Sequence, residues 1–405
     1  MIYADLHLHS KYSRAVSKNC DLKNLRLGAL SKGLNLLATS DYTHPLWFKE
    51  LKQSLTESPH EGFYYYEDNK DVLFVAGTEI ANIYSDGKKV RKVHNLIFSP
   101  SLEEASQVND LLSKRANLAA DGRPIIGKTS SAELVEIIES VSKKNYLIPA
   151  HAWTPWFGVF GSKSGYDSLK EAFEDKTRSI FAIETGLSSD PEMNWKLSQL
   201  DDIAFISNSD AHSPHPWRLG RECNAFDFTD KELSYDALFK AIRERNDNFK
   251  YTIEVDPAYG KYHVDGHRSC GFSCEPQETK KLNDLCPKCG KPLVIGVLNR
   301  VEELADRPVG EKPEKTIPFK KLLPLHELVS AVLKTSLASK KVMTECEKIM
   351  TLGTELFILL EASEEELSTK TSKQVINAII SNRKEELKIK PGFDGEYGEL
   401  LFQEP

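Results

Sequence analysis

Imidazole and carboxylate side chains recur through the first half of the chain in a pattern that suits divalent metal ions. They are His7-x-His9, Ser40-Asp41, Thr78-Glu79, His94, His151 and Asp210-x-His212. Such groups are ligands for zinc, manganese and iron, and a site for several ions needs about six to nine of them converging. The two oxygens of Glu79 allow one carboxylate to bridge two ions. Ions about 3.5–4 Å apart acidify a water and clamp the attacking and leaving oxygens of an in-line displacement at phosphorus. Any one of these histidines alone reads as an ordinary hydrogen-bonded residue. Together they predict a multi-metal site that hydrolyses phosphate esters.

A second cluster is of cysteine. Of seven cysteines, Cys270, Cys274, Cys286 and Cys289 form two short pairs separated by eleven residues. Knuckles of this kind, with Gly and Pro at their turns, predict one structural zinc held by four thiolates. His263 and His267 lie nearby and could substitute for a cysteine, but read more readily as loop residues. Flanking Lys280, Lys281, Lys288 and Lys291 give this surface a charge suited to nucleic acid.

The elements that must carry these residues alternate. Strand patterns at Ile2–Leu6, Leu34–Ala38, Val72–Ala76, Val93–Phe98, Tyr146–Pro149, Ile180–Ile183 and Ile203–Ile206 enclose amphipathic stretches at Leu22–Ser31, Leu102–Leu118 and Ala132–Lys143. That order predicts an α/β fold, a parallel sheet covered by helices. Where parallel strands close into a barrel their carboxyl ends share one face, so ligands distant in sequence meet there. From Tyr251 the texture changes, and Leu325–Leu337, Lys341–Phe357 and Ser372–Leu387 read as a small helical bundle by 3.6-residue periodicity. The chain therefore divides into residues 1–250, a zinc-binding module over 251–300 and a helical domain over 301–405.

At 405 residues, 40% hydrophobic and 28% charged, the chain has ample material for a core. It contains no apolar run of membrane-spanning length and no leader at its start, so a cytoplasmic location is expected and no membrane partner. A net charge of -7 argues against indiscriminate nucleic-acid binding, although basic clusters occur, as at Lys88-Lys89-Val90-Arg91-Lys92. Gly122–Thr129 matches the phosphate-loop pattern letter for letter. No strand precedes it, and Ser130 with Glu133 reads as a capping box for the next helix, so no nucleoside triphosphate is expected. The terminal peptide Gly398–Pro405 lacks a sliding-clamp pattern.

At the metal-ligand positions the chain resembles the PHP (polymerase and histidinol phosphatase) family, whose fold is a distorted TIM-like (β/α)7 barrel. The resemblance implies one divalent ion on His7, His9, Glu79 and Asp210 and a second on Glu79, His94 and His151, as Zn2+ or as Mn2+/Mg2+. It implies catalytic roles for Asp210, Glu79 and His212. The family's third position departs here: its Asp-His turn is Asp41-Tyr42, and the histidine expected shortly after His9 is absent. A third ion, or a supporting hydrogen bond, falls to Asp41 and His212, with His44 as a substitute.

The barrel, the four-cysteine ribbon and the helical tail, with the stretches Asp5–Lys18, Pro149–Trp156 and Ser207–His212, are together similar to the endonuclease Q family. That resemblance implies a DNA-repair nuclease that cuts 5′ to deaminated bases (uracil, hypoxanthine, xanthine) or abasic sites. Aromatic residues beside the ligands, Trp153, Trp156, Phe157 and Tyr42, are candidates to stack on an extruded base. Arg218, Arg221 and Lys288 are candidates for phosphates. Two other readings stay open: a phosphomonoesterase of the histidinol phosphatase kind, and a non-catalytic nucleic-acid-binding protein.

Overall fold

Apolar runs become strands, and most of them deliver a polar residue just past their carboxyl ends. The computed structural model describes residues 1–87, 89–308 and 310–401. Lys88 of the basic cluster and residues 402–405 of the terminal peptide lie outside them. Strands β1 (Ile2–Asp5), β2 (Leu36–Ala38) and β3 (Asn69–Ser85) pair in parallel, with Ala4 beside Leu36 and Ala38 beside Val75. β4 (Val90–Ser99) pairs with β3, and β5 (Ile125–Gly127) flanks β3 in parallel. β6 (Tyr146–Pro149) pairs with β4, and β7 (Ala182–Glu184) with β8 (Ala204–Ile206). The amide of Ala152 donates to Glu184 O, and a bridge joins Leu8 to Ala211. The ring therefore runs β1-β2-β3-β4-β6-β7-β8, seven strands. β9 (Cys223–Phe226) and β10 (Phe249–Glu254) extend the sheet beyond β1 in antiparallel fashion.

One departure from the expected parallel order matters for the site. β3 and β4 are an antiparallel hairpin, with Ala81 opposite His94. A parallel pair needs a crossover of a dozen or more residues, and the link between these strands is far shorter. Glu79 and His94 consequently reach the site from mid-strand rather than from strand ends. They are diagonal neighbours on one face of the hairpin.

Helices α1 (Leu22–Lys32), α2 (Pro45–Ser54), α3 (Leu102–Ser113), α4 (Ser131–Val141) and α5 (Tyr235–Glu244) accompany the barrel. Asp21 caps α1 by accepting from Asn24 N, and the Ser130–Glu133 capping box opens α4 as the sequence suggests. In the tail, α6 (Leu325–Val332), α7 (Lys340–Ile349), α8 (Glu355–Leu360) and α9 (Lys373–Arg383) enclose a second core around Leu328, Val342, Ile349, Leu359 and Ile379. The helix expected over Lys341–Phe357 is broken, because Thr354 turns out of the run and caps α8 through Phe357 N. Val297, Val301 and Leu322, from beyond residue 250, pack into the barrel's own core. Among the described residues no helix is long and apolar enough to cross a membrane.

Candidate active site

Tight turns aim the ligands inward. Asp41, His151 and Asp210 have φ of 41°, 29° and 47°. Non-glycine residues visit this left-handed region rarely, at a cost on the order of 1 kcal/mol or more, and such strain clusters at functional sites. Here it falls on three residues that each follow a strand, β2, β6 and β8.

The result is two donor groups joined by one carboxylate. Glu79 Oε2 lies 3.6 Å from His7 Nε2 and 3.3 Å from His9 Nε2, and Asp210 Oδ1 lies 3.6 Å and 3.1 Å from the same nitrogens. Glu79 Oε1 lies 2.8 Å from His94 Nδ1 and 3.2 Å from His151 Nε2. His212 joins His9 and Asp210 in a third grouping that shares their atoms. His7 Nε2, His9 Nε2 and Asp210 Oδ1 are buried without a hydrogen-bond partner. Buried polar atoms are rarely left so, and converging ones fit a bound cation. The donor set therefore suits divalent ions.

Residues that the sequence reading passed over fix the ligands in place. His7 Nδ1 lies 3.0 Å from Glu184, whose carboxylate also accepts from His151 N at 2.7 Å and Asn208 Nδ2 at 2.8 Å. His9 Nδ1 lies 3.1 Å from Asp41. A ring that donates from Nδ1 offers its Nε2 lone pair to a metal, so these carboxylates set the tautomer. The signal for Glu184 was available, since it ends an apolar strand just as the named ligands follow theirs. Asp41 is committed elsewhere: its other oxygen accepts from Ser10 N, Ser10 Oγ and Ser13 Oγ at 2.7–2.8 Å. It supports His9 and has little left for a third ion. His44 stacks on Tyr12, with ring centroids 4.5 Å apart.

Charge follows the same plan. Burial opposes charge on His7, yet Glu184, Glu79 and Asp210 hold it well above the usual imidazole value. Burial likewise opposes charge on His9, and Asp41, Asp210 and Glu79 outweigh it. Burial pushes His94 down to about 4, against the pull of Glu79. Glu79 and Asp210 are held well below the carboxylate range despite burial, chiefly by His94 and Arg123 for one and by His7 and His9 for the other. Buried carboxylates paired with protonatable imidazoles form a site in which a divalent ion can take the place of the protons.

The cysteine cluster needs a correction. The four donors within reach of one another are His267, Cys270, Cys286 and Cys289, with Cys274 left out. Strands β11 (Asp265–His267) and β12 (Phe272–Cys274) form a hairpin pairing His267 with Phe272 and Asp265 with Cys274. Cys274 is thus two pairs farther from the turn that carries Cys270, and its Sγ sits 3.2 Å from Thr279 Oγ1. His267 occupies the near pair, with Nδ1 3.4 Å from Cys289 Sγ. Gly271 and Gly290 take φ of 54° and 70° at the two turns.

The residues proposed for DNA contact also divide. Trp153 is 1% exposed and donates to Asn194 Oδ1 at 2.7 Å, and Tyr42 is fully buried, so both are core residues. Trp156, Phe157, Arg218 and Arg221 line an open cleft of about 500 Å³ that reaches His94, His151 and Asp210. Tyr262 and Tyr397, not singled out in the sequence, also line it. Lys288 lies apart from the cleft, on the zinc-binding module, where its Nζ is 2.8 Å from Cys270 O.

Comparison with known proteins extends this picture. Residues 324–386 match the family described as the MJ0043 C-terminal domain. Protein MJ0043 of Methanocaldococcus jannaschii is 36% identical over 257 residues, 62% of this chain, and the match spans about a third (32%) of that relative's length. The lesion-specific endonuclease PfuEndoQ of Pyrococcus furiosus superposes with a TM-score of 0.87 at 33% identity, over 98% of this chain and 94% of its own. An endonuclease Q solved with a 27-mer duplex substrate, an abasic lesion at its active site, superposes equally well at 33% identity, over 100% of this chain and 97% of its own. With likeness of that extent in both sequence and fold, the chain belongs to the endonuclease Q family.

Proposed function

We propose that this protein is a DNA-repair endonuclease that hydrolyses the phosphodiester 5′ to an abasic site or a deaminated base. One observation carries the proposal: an intact two-group donor cluster at the end of a cleft, in a chain alike over its whole length to an endonuclease Q bound to abasic duplex. On this reading His7, His9, Glu79 and Asp210 hold one divalent ion, and Glu79, His94 and His151 a second. Divalent ions held there would acidify a water and supply charge for the leaving 3′ oxygen. Glu184 and Asp41 keep the imidazoles oriented, and His212, in the grouping with His9 and Asp210, lies where it can accept or return a proton. The reading implies a hydrolytic unit over 1–250, a zinc-binding module over 251–300 and a helical unit over 301–405.

The cleft accounts for the lesion. A base must leave the stack before it can be inspected, at a few kcal/mol, and least for a damaged or mispaired one. Trp156, Tyr262 and Tyr397 offer stacking faces, while Arg218 and Arg221 offer charge for phosphate. The test is incubation with divalent metal and labelled duplexes carrying an abasic site, deoxyuridine, deoxyinosine or no lesion. The expected result is nicking on the 5′ side of lesions only. Asp210→Ala should keep the circular dichroism of the wild type and lose cleavage by about 10³-fold or more, a ligand's worth of transition-state charge. Retained cutting would remove this site from the mechanism, and phosphate release from histidinol phosphate without nicking would favour the small-molecule reading.

A further inference from the structure

Gly122-Arg123, in the octapeptide that imitates a phosphate loop, sits inside the metal site. β5 lies parallel to β3 with Ile125 beside Ala81, and that register carries Arg123, two residues earlier, to the level of Glu79. Its Nη1 lies 3.1 Å from Glu79 Oε2, the oxygen that faces His7 and His9. Asp210 also draws on its charge, and the guanidinium in turn depresses the neighbouring His94 and His212. The backbone is anchored for this: Asp121 accepts from Arg123 N at 3.2 Å, Gly122 N donates to Tyr12 O, and Thr43 Oγ1 donates to Gly122 O. A Cβ at position 122 would collide with Asp41 Oδ2 and Ser13 Oγ, so only glycine lets the loop come this close.

Both adjoin the places where the chain departs from the barrel family's third-ion pattern: Ser13 lies in the region after His9 where the family's histidine is absent, and Asp41 is followed by Tyr42 instead of histidine. Ser13 bonds Asp41, Asp41 is filled by hydrogen bonds, Tyr42 is buried against Ser99, and His44 is stacked on Tyr12. The structure assigns to Arg123 the charge that a third ion would bring. Its guanidinium is a fixed cation on the bridging carboxylate. With 27% of the side chain open to solvent, it can donate to a non-bridging oxygen of the scissile phosphodiester. The inference rests on the phosphodiesterase reading above. A guanidinium needs no exchange of ligands and cannot dissociate, so the site works with two ions and one built-in charge.

Three measurements on the full chain test it. Elemental analysis after metal loading should give the zinc of the cysteine module and no more than two ions besides, in wild type and in Arg123→Ala alike. Arg123→Ala should bind abasic duplex as the wild type does and cut it about 10²–10³-fold more slowly, with roughly tenfold or greater recovery in low guanidinium concentrations. Arg123→Lys should stay slow, since an ammonium cannot reproduce the forked donors. A third ion in the wild-type site overturns the inference. So do full activity in Arg123→Ala, loss of its ions, or failure of guanidinium rescue. If the wild type cuts no duplex the functional reading falls instead. The ion count then decides this inference alone, two ions keeping it and three overturning it.

Discussion

The cysteine module shows how much a single hydrogen-bonded register decides. Spacing alone cannot distinguish Cys274 from His267, because both lie a few residues from Cys270; the hairpin puts His267 among the other three donors and Cys274 two pairs away. The expected outcome is therefore specific. Cys274→Ser retains one zinc per chain and nearly wild-type stability, while His267→Ala loses more affinity than the about 100-fold typical of a lost supporting hydrogen bond. Zinc quantified by competition with a chromophoric chelator checks it, and the reverse ranking would restore the four-cysteine set. The same contrast explains which residues of the candidate site were legible. His7, His9, Glu79, His94, His151 and Asp210 stand out because few residue types bind divalent ions and the family spaces them distinctively. Glu184 and Arg123 carry no such mark, since carboxylates and guanidinium groups are common and theirs act only through where β7 and β5 end up. Trp153 and Trp156, three residues apart, could not be told apart until the turn after β6 buried one and exposed the other.

At the scale of elements, apolar runs located the strands well and their directions less well. The hairpin of β3 and β4 was hidden because a buried antiparallel strand has the same continuous apolar texture as a parallel one. Strands β9 and β10 went unnoticed, yet they bury the acidic pair Glu222 and Glu254. Glu254 accepts from Thr252 Oγ1, Thr185 Oγ1 and Ser207 Oγ at 2.6–3.0 Å, and burial still pushes it up to about 7. Glu222 is raised as well, by burial first and by Glu254 second. Unfolded, each carboxyl titrates near 4.5. Between pH 4.5 and about 7 the folded chain thus holds protons that the unfolded chain releases. Stability contributed by this pair is full below 4.5 and falls as pH rises through the window, by roughly 1 kcal/mol per pH unit for each proton. Urea unfolding at several pH values should show a shallower decline for Glu254→Gln than for wild type. Identical pH slopes would mean that Glu254 is ionised in the folded protein.

At the scale of the whole molecule, the proposed function asks an acidic protein to hold an acidic polymer, so attraction has to be local and geometry has to be firm. The cleft takes its candidate metal ligands from the barrel, Tyr262 from the segment leading to the zinc-binding module, and Tyr397 from beyond the last helix. Its shape depends on how the helical tail sits on the barrel. One contact between them is a buried ion pair: Lys32 Nζ of α1 donates to Glu355 Oε1 of α8 at 2.6 Å and to Pro216 O at 2.8 Å, with both side chains nearly inaccessible. Pro216 precedes Trp217 and Arg218, so the same lysine ties the tail to the wall of the cleft. Glu355 also accepts from Leu325 N at the start of α6, and Lys32 holds its carboxyl below the usual range against burial. Removing one partner from such a pair leaves a buried charge and costs about 3–5 kcal/mol, whereas replacing both with apolar residues of similar size is often neutral. Lys32→Met should accordingly lower the denaturation midpoint, speed hydrogen exchange in α6 to α9, and weaken lesion binding more than metal binding. Lys32→Met combined with Glu355→Leu should recover most of the stability. If the single variant melts with the wild type and its tail exchanges no faster, the tail is held by its apolar contacts alone, and the cleft's geometry does not pass through Lys32.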